Sequence, residues 1–148
     1  MSARTLHDHF RNTRPSRAGA WGRLALRHGE ARRVEILRAW LASAAGLTVL
    51  DAGCGDGASL AAALTARPRR LRLEDLSAHA VAAAAERLAG RADDVVGAVA
   101  DALTPGAPEF DVVLAIGVLD YQADPAPALR ALATRTRGVL IANVPRAD

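Results

Sequence analysis

The chain has 148 residues, of which 51% are hydrophobic and 24% are charged, and its formal net charge is +3. These values are typical of one soluble globular domain that is long enough to bury a core, and they exclude a disordered or strongly basic chain. Cys54 is the only cysteine, which excludes an intramolecular disulfide and a zinc site built from cysteines.

The sequence contains no apolar run of membrane-spanning length, and its polar N-terminus lacks an apolar signal segment. We therefore expect a cytoplasmic protein. Residues 1–43 are predicted to form an arm and cap helices ahead of a main domain at 44–148. The arm is rich in arginine, but no aromatic residues are interleaved with them, so we interpret it as a frayed terminus and do not expect nucleic-acid binding.

Apolar residues recur at intervals of three and four from Gly19 to Leu41. This spacing predicts one helix or two, with a break near Gly29. His28 precedes that glycine, and a histidine at a helix end is either a surface residue or a group that faces a site.

Residues 47–64 contain the most informative pattern in the chain. A short apolar strand ends in Asp51, glycines follow at alternate positions, and an Ala/Leu-rich helix is predicted over 58–66. Glycines allow a strand to turn into a helix within a few residues, and the helix N-terminus then faces the space beyond the strand. The spacing differs from the dinucleotide fingerprint G-x-G-x-x-G, and carboxylates at Asp51 and Asp56 would repel a pyrophosphate and favour a cationic ligand.

This Asp-x-Gly-x-Gly-x-Gly stretch resembles motif I of the class I S-adenosylmethionine (SAM) dependent methyltransferases. The resemblance implies that the loop holds the methionine part of SAM, and that the cap helices cover the site as a lid. The residues concerned are Asp51, Gly53, Cys54, Gly55 and Gly57. Cys54 is interpreted mainly as a small residue that fits the loop.

The next strand, predicted over 71–73, ends in Glu74 and Asp75. An acid about 20 residues after a nucleotide-binding loop is placed to accept hydrogen bonds from ribose hydroxyls. The family pattern selects Asp75 over Glu74 and includes Leu76. We interpret Ser77 mainly as the N-cap of a helix over 78–89.

A third strand, predicted over 95–99, is followed by Asp101 and Ala102. In the family that the chain resembles, such a pair contacts the adenine through the carboxylate and the next backbone N–H. The alternative is that Asp101 is a loop acid before the Pro105-Gly106 turn.

The fourth strand, predicted over 110–116, is an apolar run typical of a central parallel strand. The residues after it resemble those of small-molecule methyltransferases, near the ubiquinone and magnesium-protoporphyrin O-methyltransferase groups. By this resemblance Ile116 and Gly117 border the methionine end of SAM. Asp120 and Tyr121 are the polar groups best placed to touch an acceptor, although they also suit a helix start and a half-buried aromatic.

A helix over 126–133 and a fifth strand over 138–144 complete the pattern. The alternation predicts an α/β, Rossmann-like, doubly wound parallel sheet with right-handed crossovers. The resemblance to the class I methyltransferases implies the strand order 3-2-1-4-5. The family's strands 6 and 7 are missing from the sequence, so strand 5 is expected to be an uncharged, open edge. Such an edge predicts self-association, as in a dimer, or a partner chain.

Two functions follow from these patterns. The first is a SAM-dependent methyltransferase that acts on a small-molecule acceptor at oxygen or carbon and releases S-adenosylhomocysteine. His28, Asp120 or Tyr121 is then the candidate base, and no metal is expected. The alternative is a SAM-fold binding or scaffold subunit that transfers no methyl itself. An NAD-dependent dehydrogenase is disfavoured by the glycine spacing and by Asp56.

Overall fold

The computed structural model describes the backbone of residues 20–144 and the side chains of residues 31–144. Five parallel strands form one sheet in the order β3-β2-β1-β4-β5, so the predicted fold class and strand order are confirmed. The elements in chain order are α1 (Ala20–Leu41), β1 (Thr48–Ala52), α2 (Ala58–Ala63), β2 (Arg70–Asp75), α3 (Ala78–Arg87), β3 (Asp94–Val99), β4 (Phe110–Ala115), a 3-10 helix (Leu119–Tyr121), α4 (Ala126–Thr134) and β5 (Thr136–Ala142).

Strand alternation divides the core between the two faces of the sheet. Val49 and Leu73 belong to the larger cluster, which packs beneath α1, α2 and α3. Leu50 and Ala52 belong to a smaller cluster beneath α4. Because side chains alternate along a strand, Asp51 and Asp75 lie on the larger-cluster face, whereas Glu74 lies on the other. This alternation separates two adjacent acids of β2.

Helix α1 is continuous over 22 residues, so of the two predicted alternatives the single helix is confirmed, and the break near Gly29 that belonged to the other is wrong. A glycine inside a helix costs only about 1 kcal/mol, and the buried side chains of Leu37 and Leu41 anchor the second half of the helix. Among the helices of residues 20–144, none has the length and apolarity required to cross a bilayer.

Strand β5 begins at Thr136 rather than at 138, and the expectation of an uncharged fifth strand is therefore wrong. The strand includes Arg137, whose guanidinium donates to the Glu109 carbonyl at 2.7 Å and lies 3.5 Å from an Asp111 carboxylate oxygen. A charge at the start of an edge strand limits unwanted pairing there. The apolar part of the edge is thereby shortened.

A buried ion pair joins Arg135, the residue directly after α4, to Glu74 of β2. The Glu74 carboxylate accepts hydrogen bonds from Arg135 at 2.8 and 2.9 Å and from Arg72 at 2.7 Å, and Glu74 is only 2% exposed. Burial raises the pKa of Glu74, but the two arginines outweigh this effect and hold the pKa below its ordinary value of 4.5. Glu74 therefore stays ionised as part of the fold.

We predict that Arg135→Ala lowers the free energy of unfolding by roughly 2–4 kcal/mol, because Glu74 is left buried with one partner. Arg130→Ala, at an exposed site on α4, is the control and should change stability by less than about 0.5 kcal/mol. The Glu74 contribution is present above pH 4.5 and is lost at lower pH, so the Arg135→Ala deficit should shrink there. Urea unfolding at pH 7 and pH 3.5 measures both effects; a deficit independent of pH would contradict the assignment.

Candidate functional site

The glycine loop between β1 and α2 uses left-handed backbone conformations. Gly53, Gly55 and Gly57 have φ values of 75°, 53° and 76°. A Cβ added at Gly53 would lie 2.9 Å from Val118, and one at Gly57 would lie 3.0 Å from Ala84, whereas one at Gly55 would meet nothing within 4 Å. Gly53 and Gly57 thus permit close packing, and Gly55 borders open space.

That space is a cavity of about 190 Å³ beneath the second half of α1. Its wall combines the glycine loop, carboxylates and apolar side chains from three elements. The lining residues are Leu37, Asp51, Gly53, Cys54, Gly55, Asp56, Ala58, Ser59, Leu60, Leu114 and Ile116. The cavity therefore lies at the carboxyl ends of β1 and β4, where open α/β sheets bind ligands.

Asp51 gives the cavity its unusual electrostatics. The residue is 7% exposed, and among the side chains of residues 31–144 no basic group pairs with its carboxylate. Burial, followed by the nearby charge of Asp75, raises its pKa from 3.8 to about 7. A buried anion without a counter-ion is the arrangement that a cationic ligand would complete.

Asp75 is fixed against the glycine loop. One carboxylate oxygen accepts from the Gly55 amide at 3.0 Å, and the other accepts from the Ser77 amide at 2.9 Å. Each carboxylate oxygen has a second lone pair for a further donor. Glu74 is committed to two arginines on the opposite sheet face, so of the two acids Asp75 is the one beside the loop.

Asp56 lines the cavity, but its charge is already paired. Its carboxylate accepts from Arg87 at 3.1 Å and from the Ala58 amide at 3.0 Å. The Asp56 carboxylate is thus engaged by groups of the protein itself, and its hydrogen bonds hold the loop.

Cys54 is a buried thiol in the same loop. Burial first, and then the charges of Asp51 and Asp75, raise its pKa to about 12. A thiol that stays protonated at neutral pH is a poor nucleophile, which agrees with the interpretation of Cys54 as a small residue that fits the loop.

The candidates after β2 and β3 lie at the same edge of the sheet. Leu76 is 43% exposed, and the Asp101 carboxylate accepts from the Leu103 amide at 3.0 Å in a local turn. The side chain of Ala102 is buried in the smaller core cluster, so only its backbone is available to a ligand at this edge.

The candidates after β4 occupy a loop beside the cavity. Ile116 lines the cavity, and Gly117, with φ 79°, borders open space. The Asp120 carboxylate accepts from the Asn143 amide group at 3.1 and 3.3 Å and lies 3.7 Å from the Arg33 guanidinium. Tyr121 is 46% exposed, and the side chain of His28 lies outside the described residues.

Sequence reasoning missed several residues of this site. Leu37, Leu60 and Leu114 line the cavity, but they look like ordinary core leucines in the sequence. Asn143 is different, because a polar residue directly after an apolar parallel strand is a signal that points to the ligand-binding edge. Among residues 31–144, no cluster of potential metal ligands is present.

Comparisons with known proteins define the family. A family model described as a methyltransferase domain matches residues 50–137, which is more than half of the chain. The chain belongs to this methyltransferase domain family, and the resemblance to class I SAM-dependent methyltransferases is confirmed. No curated protein matches the chain.

Three solved structures illustrate the likeness. Magnesium protoporphyrin IX methyltransferase from Synechocystis PCC 6803 with bound SAM is 26% identical, with a TM-score of 0.67, over 93% of this chain and 69% of that chain. A Geobacter sulfurreducens SAM-dependent methyltransferase with S-adenosylhomocysteine is 24% identical, with a TM-score of 0.60, over 75% and 47% of the two chains.

The third is a chain of the Haloferax volcanii complex that contains the Trm112 methyltransferase activator. It is 22% identical, with a TM-score of 0.63, over 81% of this chain and 54% of that chain. The chain described here thus spans about half to two thirds of these structures, and the two below 25% identity show the fold alone.

We predict that Asp51→Asn stabilises the unliganded protein at pH 8.5 by roughly 2–4 kcal/mol, because a raised carboxyl pKa is a stability cost. Between 3.8 and about 7 the folded protein retains a proton that the unfolded chain has lost. The wild type should therefore lose stability relative to Asp51→Asn as the pH rises through this range. Urea unfolding of both proteins at pH 5 and pH 8.5 measures this difference. If the wild type and Asp51→Asn differ in stability by the same amount at both pH values, the raised pKa is refuted.

Proposed function

We propose that the chain binds SAM and acts as a SAM-dependent methyltransferase on a small-molecule acceptor. The observation that carries the proposal is the Asp51 carboxylate, which lines the cavity beside the glycine loop and has no basic partner among the side chains of residues 31–144. SAM presents an ammonium and a sulfonium, and either cation would supply the missing counter-charge for Asp51. A pyrophosphate cofactor would instead bring further negative charge close to Asp51 and Asp75.

The residues present fit such a ligand. The open space at Gly55 allows a ligand to approach the loop backbone, and Leu37, Leu60 and Ile116 provide apolar contact surface. We propose that Asp51 with Gly53, Cys54 and Gly55 holds the methionine end, and that Gly57 only shapes the loop.

The remaining cofactor contacts follow the carboxyl edge of the sheet. Asp75 is the proposed ribose acceptor, since its carboxylate lies at the loop and keeps lone pairs for hydroxyl donors. We propose that Leu76, Asp101 and the Ala102 backbone contact the adenine of SAM. Gly117 is proposed to border the methionine end of SAM, where the reactive methyl group lies. The N-terminal 43 residues are proposed to form the cap, because Leu37 of α1 closes one side of the cavity.

When bound, SAM supplies a methyl group that is already activated by its sulfonium. The chain then needs to align an acceptor oxygen or carbon in line with that methyl and to exclude water. The loop after β4 supports a small acceptor, since Gly117 leaves open space there. Asp120 is occupied by Asn143 and Arg33, so we do not favour it as the base for a hydroxyl acceptor. The other proposed candidates for the base are His28 and Tyr121.

We also propose that a second copy or a partner protein covers the β5 edge. β5 pairs with β4 on one side only within residues 20–144, and Val139 and Val144 are 37% and 53% exposed. An apolar edge of this kind is a template for pairing. The alternative of a scaffold subunit without methyl transfer has no observation of its own in favour.

Gly55→Val is predicted to abolish detectable binding of S-adenosylhomocysteine, because the side chain would fill the space that the ligand needs. Gly90→Val is the matched control, since Gly90 also has a left-handed φ of 73° and open space around it but does not line the cavity. Calorimetric titration of both variants, with urea unfolding to compare their strain, measures the effect. Equal affinity in the two variants would contradict the proposed site.

The affinity for S-adenosylhomocysteine should rise as the pH increases from 5.5 to 7.5. Its ammonium is charged throughout this range, whereas Asp51 is mostly protonated at pH 5.5 and becomes ionised near 7. We expect a gain of roughly tenfold, which should be absent in Asp51→Asn. Calorimetry across the range tests this, and the same pH dependence in both proteins would assign it to another group.

A further inference from the structure

Asn143 lies at the carboxyl end of β5 and touches the loop after β4 with both ends of its side-chain amide. Its oxygen accepts a hydrogen bond from the Gly117 amide, and its nitrogen donates to the Asp120 carboxylate at 3.1 and 3.3 Å. The Gly117 N–H can only donate, so the amide oxygen must face Gly117 and the amide nitrogen must face Asp120. One side chain thus fixes two positions of the loop.

The contact continues to the other wall of the cavity. The Asp120 carboxylate lies 3.7 Å from the Arg33 guanidinium of α1, and Leu37, one turn further along that helix, lines the cavity. On the loop side, Ile116 lines the cavity immediately before Gly117. Asn143 and Asp120 therefore connect the two segments that enclose the cavity.

We infer that Asn143 is a positioning residue for the cofactor site, which it shapes by fixing the loop after β4 and, through Asp120 and Arg33, helix α1. This inference rests on the proposed function, because the site that it serves is the proposed SAM cavity. It gives Asp120 a different role from that of a catalytic base. Asp120 carries the link between Asn143 and Arg33.

Exchanging the amide of Asn143 with the carboxylate of Asp120, a change called the polarity swap below, tests this inference. Asn143→Asp keeps the acceptor for Gly117 but sets one carboxylate against another, so we expect the affinity for S-adenosylhomocysteine to fall roughly tenfold. In the double variant Asn143→Asp, Asp120→Asn, the new carboxylate still accepts from Gly117. The new amide donates to that carboxylate and turns its oxygen toward Arg33, so affinity should recover to within roughly threefold of wild type.

Arg33→Ala tests the link to α1 without changing the loop. We expect it to increase the dissociation rate of S-adenosylhomocysteine by roughly threefold. Arg32→Ala is the matched control, because Arg32 is the neighbouring residue, has a side chain that is 75% exposed and pairs with Glu35 on the same helix. Stopped-flow experiments measure the dissociation rate of S-adenosylhomocysteine from the two variants. Equal rates would show that the contact between Asp120 and α1 does not shape the site.

Amide hydrogen exchange of Gly117 in the unliganded protein separates this inference from the proposed function. Protection of Gly117 should fall in Asn143→Ala and return in the polarity swap. If the wild type binds S-adenosylhomocysteine but Asn143→Asp binds equally well, or the swap restores neither affinity nor protection, the inference is overturned and the proposed function stands. If Gly117 protection responds as expected but the wild type does not bind the ligand, the proposed function is overturned.

Discussion

The rest of this site depends on one carboxylate, that of Asp51, being buried in the centre of a parallel sheet without a cationic partner among the described side chains. β1 lies between β2 and β4, so its last residues are enclosed on both sides. The glycine loop and Leu37 of α1 line the same cavity as Asp51. In the unliganded protein, ionising the buried Asp51 carboxyl therefore costs free energy. Protonation of the carboxylate or binding of a cationic ligand removes this cost.

Glu74 and Asp75 are adjacent in β2, but their side chains lie on opposite faces of the sheet and have different partners. Glu74 is neutralised by Arg135 and Arg72 on one face, while Asp75 on the other is held by the Gly55 and Ser77 amides. The pair of Asp51 and Asp75 therefore concentrates negative charge at the loop. Arg87 pairs with Asp56 beside the loop, whereas no arginine side chain within residues 31–144 pairs with Asp51.

Local sequence patterns were sufficient for a parallel sheet of alternating strands and helices with right-handed crossovers, and the family resemblance that they carry implied its strand order. They were also sufficient for the loop that contains Asp51 and Gly55. They were insufficient for partners far apart in sequence: Arg135 is 61 residues from Glu74, Arg87 is 31 from Asp56, and Asn143 is 26 from Gly117. Such pairings depend on tertiary packing, as does the continuity of α1 through Gly29.

The most direct test of this account is the titration of the Asp51 side-chain carboxyl by carbon-13 NMR, with and without S-adenosylhomocysteine. The account predicts a pKa near 7 in the free protein and a fall of at least about two units when the ligand is bound, because the ammonium stabilises the carboxylate. A pKa near the ordinary value of 3.8 in the free protein, or a pKa that saturating ligand leaves unchanged, would contradict the assignment of Asp51 as the counter-charge of the cofactor.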